Sequence, residues 1–223
     1  MPLKIKPPKI KRITDRIYLA VFSNRFDLTM TFMRYQEYYE SPKYRNKVFS
    51  LAEFMRWYSL TYGNGAFTYP KDWNGFNIPA PKIFEVIKQL NENQNGWNDS
   101  NIYDFVMRDL VVTIKKLVKD DNFYIIGIHE DDDDESTRRH EVAHGLFWTN
   151  KEYKKKMTKL VIGLPKGVRI HLQKILKKRG YCRAVFVDEI HAYMTTGLMY
   201  QANKKLLKKR MDPFKRVFRE YYK

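Results

Sequence analysis

Apolar positions change their spacing several times along the chain, and each change predicts an element. Ile17 to Phe22 is a continuous apolar run of strand length. Phe26 to Tyr39 is rich in aromatics and predicts a helix that ends near Ser41-Pro42. Ser50 and Glu53 have capping-box spacing, in which a hydroxyl and a carboxylate satisfy free amides at a helix start, so 51–62 is expected to be helical and to stop at Gly63. Residues 63–81 hold three glycines and three prolines together with Phe67, Tyr69, Trp73 and Phe76. They read as an ordered loop pinned by aromatic packing, a candidate wall for a cleft. Pro81 suits the first turn of a helix reaching Leu90, and the polar stretch from Asn91 to Ser100 reads as a loop and a boundary.

The second half has a different texture. Ile102, Phe105, Val106, Leu110, Val111, Ile114 and Leu117 recur at helical spacing and predict an amphipathic helix over 101–118. Residues 122–129 are β-branched and aromatic, as a strand requires. Six consecutive acidic residues follow, Glu130 to Glu135, and acidic groups favour the exposed amides of a helix N-terminus, so a helix is expected from about 136. Further helices are expected at about 151–160, 167–178, 184–196 and 200–220, with Pro165, Gly180 and Gly197 between them. There is no internal repeat. The pattern predicts an α+β fold, predominantly helical, in three regions: a basic extended arm over 1–14, a helical aromatic-rich module over 15–98, and a region over 99–223 that ends in a basic helix.

Composition narrows the class. The chain has 223 residues, 43% apolar and 15% aromatic, enough to bury a core, so disorder is not expected. No apolar run approaches the roughly 18 residues that span a bilayer, and no apolar stretch follows the basic N-terminus as a secretory leader needs. Integral membrane association is therefore not expected, and a cytoplasmic location is. One cysteine, Cys182, permits neither an intramolecular disulfide nor a four-cysteine zinc site, so a metal would need histidines and carboxylates. Lys and Arg number 42 against 25 Asp and Glu, a formal net charge of +17. Twenty-seven of the 42 are Lys in a chain rich in Asn, Tyr, Phe and Ile, a mixture that base composition alone can produce. The clustering changes the picture more than the total does, because 151–179 carries eleven basic residues against one acidic and 201–223 nine against two. Lys204, Lys205, Lys208, Lys209 and Arg210 either bind phosphates or form a solvated face.

The candidate chemistry sits in the helix after the acidic run, Arg139-His140-Glu141-Val142-Ala143-His144-Gly145-Leu146-Phe147. Two histidines at i and i+4 share one helix face, one turn apart, the separation at which two imidazoles bind one Zn²⁺. Glu141 projects beside that position, where a carboxylate can take a proton from water. This segment is the HExxH pattern and resembles the active-site helix of the zincin metallopeptidases, although Arg138 and Arg139 stand where that family prefers uncharged residues. The strand expected just before it and the apolar or small residues at 142, 143 and 145–147 agree with the resemblance. Phe147 and Asn150 occupy positions that the metzincin branch fills with further motif residues, so that branch is excluded.

Asp188-Glu189-Ile190-His191-Ala192 resembles the second motif of the gluzincin branch, and the resemblance implies Glu189, forty-five residues after His144, as third metal ligand. Ala192, at i+3, leaves room for close helix approach. The alternative is a surface glutamate, with His191 (about 200° around the helix, facing away) or His171 supplying the third ligand. The family also implies a donor that stabilises the tetrahedral intermediate, for which Tyr193 at i+4 from Glu189 is the candidate, an interior aromatic being the alternative. Asp188 is a candidate acceptor for a ligand imidazole. The acidic run lacks the spaced oxygens and glycine of an EF-hand, and Cys182 has no orienting context for a nucleophile.

The leading expectation is a zinc-dependent metallohydrolase, a peptidase first, in which His140, His144 and Glu189 hold Zn²⁺, Glu141 is general base and the substrate is a protein or peptide. The alternative is a basic nucleic-acid-associated or assembly protein whose zinc site is structural or vestigial, with weak polyanion binding through the basic helices.

Overall fold

A computed structural model describes residues 5–92, 100–132, 135–197 and 204–222, the side chains of 204–206 excepted. The fold is α+β and predominantly helical. Its residues fall into two compact units, one of 1–39 and 43–133, the other of 40–42 and 134–223.

The first unit is built on a four-stranded mixed sheet. Strand β1 (Lys9–Arg12) pairs antiparallel with β2 (Ile17–Phe22), β2 pairs parallel with β4 (Tyr124–His129), and β4 pairs antiparallel with β3 (Gly75–Pro79), in the order β1-β2-β4-β3. All six residues of β2 and the first five of β4 are buried, which is why both read as continuous apolar runs instead of alternating ones. Helix α1 (Arg25–Glu40) approaches the sheet at Gly127, where a Cβ would stand 2.5 Å from the Phe32 ring and 2.9 Å from Leu28. Glycine at that strand position is what admits the phenyl ring.

Two expectations change here. The basic arm is extended, but Lys9–Arg12 forms an edge strand, and three of its four residues are exposed. Charged residues at a sheet edge discourage pairing with another chain, so part of the arm's charge has a structural role. Residues 63–81 are not a loop throughout: α3 (Tyr69–Asp72) is a single turn and Gly75–Pro79 is β3. Phe76 is 1% exposed and stacks on Phe32 and Tyr69, so it belongs to the core and does not line a cleft. Tyr44, Phe49, Phe54, Tyr58 and Phe67 extend this aromatic cluster around α2 (Leu51–Thr61), whose Ser50 side chain accepts from the Glu53 amide as the capping spacing predicts.

Helix α4 (Ala80–Glu92) carries Pro81 in its first turn, and α5 (Ile102–Val118) opens with a capping box between Asn101 and Asp104. The buried face of α5 runs through Asp104, Met107, Leu110, Val111 and Ile114, while Phe105 and Leu117 are exposed. Asp104 can be buried because it accepts from Arg34 at 2.9 Å and from the Tyr35 hydroxyl at 3.1 Å. The sequence pattern places a boundary near residue 98, in a segment partly outside the described residues. The division instead falls at 133/134, because β4 completes the sheet and so belongs with the first unit.

The second unit is helical: α6 (Glu135–Thr149), α7 (Lys151–Ile162), α8 (Lys166–Lys178), α9 (Phe186–Thr196) and α10 (Lys204–Tyr221). Helix α9 packs against the other four. Gly197 ends it with φ +84°, a left-handed conformation suited to glycine. Among the described residues, no helix is long and apolar enough to cross a membrane.

Candidate metal centre

Eight consecutive residues of α6, His140 to Phe147, are buried. A helix apolar on one face only could not be covered so completely, and the small residues Ala143 and Gly145 let neighbours come close. Burial of His140, Glu141 and His144 is costly unless their polar atoms find partners. The partners come largely from α9.

His144 Nδ1 lies 2.8 Å from Asp188 Oδ1, so the Nδ1–H donates to that carboxylate and Nε2 is the atom turned inward. His140 is held similarly, by the Ala192 backbone and by Thr196 Oγ1 at 3.4 Å from Nδ1, and again Nε2 is the inward atom. The two Nε2 atoms stand 3.3 Å apart. Glu189 is 1% exposed, and its Oε1 is 3.7 Å from His144 Nε2. One ligand atom from each of His140, His144 and Glu189 falls within 4.8 Å of the others. Two imidazole nitrogens bound at about 2.0–2.1 Å in tetrahedral geometry stand about 3.3–3.4 Å apart, so the donor spacing fits a single zinc ion. Among the described residues Glu189 Oε2 has no hydrogen-bond partner although it is buried, as a carboxylate arranged for a cation would be.

The electrostatics point the same way. Glu40, which belongs to this unit, is buried, and its carbonyl accepts from the Cys182 amide at 3.1 Å. Burial first, and then the Glu189 charge, push its carboxyl well above the ordinary range. Burial raises Glu189 to about 8, against the attraction of His144 and with the Asp188 and Glu141 charges adding to the rise. Burial also drives His140 well below its ordinary value, and the neighbouring His144 adds to this. For His144 burial acts downward, but Asp188 and Glu189 outweigh it and the net shift is upward. Asp188, pushed up by burial, is pulled below its ordinary range by His144. Four carboxyls crowded around the imidazoles form an environment that a divalent cation would relieve.

Tyr193 is 9% exposed, and its ring centroid lies 4.6 Å from that of His140. Its hydroxyl accepts from Arg179 Nη1 at 3.1 Å and lies 3.3 Å from the Tyr181 hydroxyl. Of the two fallback ligands, His171 is exposed on α8. His191 faces away from Glu189 in the helical projection, yet it is fully buried: Nε2 is 3.2 Å from the Ala143 carbonyl, Nδ1 is 3.3 Å from Asp188 Oδ1, and the ring stacks on Phe147. It thus ties α9 to the backbone of α6 between His140 and His144. Glu40, Arg179, Tyr181 and Thr196 also reach the cluster, and no motif in the sequence marks them.

Comparison with known proteins finds no match to this chain among family models, curated proteins or solved structures.

Proposed function

We propose that the protein is a zinc-dependent metallohydrolase acting on peptide bonds, with His140, His144 and Glu189 as metal ligands. The observation that carries this reading is the convergence of two Nε2 atoms 3.3 Å apart with a buried, partly unpaired carboxylate from a different helix. Zn²⁺ held by these three side chains would supply the Lewis acidity that makes water nucleophilic near neutral pH and polarises a carbonyl. Glu141, buried one residue after His140, takes the proton of the attacking water and returns it to the leaving amine. Asp188 keeps the His144 ring in the tautomer that presents Nε2. Tyr193, oriented by Arg179 and Tyr181, is the donor for the developing oxyanion.

The test is metal content by mass spectrometry of the purified chain and of His140→Ala, His144→Ala and Glu189→Ala, with cleavage of a quenched peptide library as second readout. Each alanine variant is expected to lose most of its zinc and all measurable cleavage. Near-stoichiometric zinc in all three would falsify the assignment.

A further inference from the structure

We propose that a second site, on the Nδ1 side of His140, binds an oxyanion and takes a phosphate group. A cavity of about 420 Å³ opens there, inside the size range of small-ligand pockets. Its walls include Glu135, Ser136 and Arg139 of α6, Thr196 of α9, and Lys215 and Arg219 of α10. Lys215 and Arg219 are four residues apart on one helix and therefore present their cations on the same face. Among the described residues neither has a carboxylate partner. Arg139 is the third cation, positioned from the opposite wall with its guanidinium 5.3 Å from the centre of the Phe218 ring. It shares its charge with Glu135 at 3.1 Å. Three cations against one carboxylate leave this wall at +2, the complement of a phosphate dianion. The Ser136 hydroxyl adds a hydrogen-bond donor.

The site is distinct from the metal centre but joined to it. Thr196 lines the cavity and lies 3.4 Å from His140 Nδ1, and Arg139 precedes His140 in the chain. A half-open concavity lined by three cations suits one phosphate on a small molecule or a phosphorylated side chain. A nucleic-acid strand would instead require a track of cations along an open groove. The inference does not depend on hydrolytic activity.

The experiment is titration of the full chain, as purified, with inorganic phosphate, followed by calorimetry and by ³¹P resonance shift, and repeated on Lys215→Gln/Arg219→Gln. Saturable binding that weakens about tenfold or more in the double variant, and weakens with added salt, is the expected result. Arg219→Gln alone, at an exposed position, guards against misfolding and is expected to act in the same direction. Competition by O-phosphoserine assigns the group to a side chain, and its absence assigns it to the free anion. Affinity unchanged in both variants, as phosphate held on a metal would give, overturns the proposal. So does an oligonucleotide that binds when phosphate shows no saturation.

Discussion

Glu141 and Glu189 are both buried glutamates of one helical unit, yet their surroundings fit them for different tasks. Glu189 follows Asp188 and faces His144, so in the proposed site its carboxylate completes the ligand set. Glu141 belongs to the same turn as the histidines and reaches the cluster from beside them, the place of the proton carrier in the proposed reaction. Replacing Glu141 by Gln keeps the size and removes the base. The expected outcome is retained zinc with kcat lowered about 10²–10⁴-fold, checked by metal analysis and peptide cleavage on the same preparation. In the proposed site Asp188 acts through His144. Asp188→Asn is expected to weaken zinc binding about 10–100-fold, measured by competition with a chelator, without loss of fold. An unchanged zinc affinity would mean that His144 needs no orienting carboxylate.

Each element shows what a short segment can and cannot announce. The His140/His144 pair and the Ser50/Glu53 cap depend only on one helical turn, and both are legible in the sequence because the backbone sets their spacing. Strands β1 and β3 were not legible. Lys9–Arg12 is basic and Gly75–Pro79 begins with Gly and ends with Pro, so neither carries a strand pattern, and each is a strand only because a neighbour pairs with it. The fit of α1 on β4 is similar: the residue at 127 must be small because Phe32 occupies its face. Gly127→Ala is expected to destabilise the protein by about 1–3 kcal/mol through overpacking, read as a lower urea midpoint. A midpoint equal to that of the unaltered chain would show that the ring moves aside freely. Helix α9 is the clearest case on the site side. Its sequence offers Asp188 and Glu189 together, but which of them meets the metal position and which meets an imidazole follows from how it packs on α6.

At the scale of the whole molecule, charge and protonation are collective. Metal binding must displace protons from groups whose pKa values lie above their ordinary values in the metal-free fold. Burial raises Glu189 to about 8, and His144 is raised by Asp188 and Glu189 against the opposing effect of burial. Glu189 therefore carries a proton near pH 7, and zinc affinity should rise as pH climbs through about 8. Zinc titrations in buffers of different ionisation heat should report net proton release on binding at pH 7. Affinity independent of pH between 6 and 8.5 would contradict the proposed role of Glu189 as a ligand. The net charge of +17, by contrast, does not name a partner: some cations guard a sheet edge at β1, and Lys215 and Arg219 line a cavity.

By itself the sequence determined what local geometry governs: the buried runs of β2 and β4, the helix periods, the caps and the one-turn spacing of His140 and His144. The tertiary structure decided what depends on packing between distant segments. It set the sheet order, the assignment of β4 to the first unit, the approach of Glu189 to the histidines, and the burial of Glu40 and His191. The physical reason is range. Backbone geometry fixes distances within a turn, whereas distances across forty-five residues are set by which side chains exclude water together.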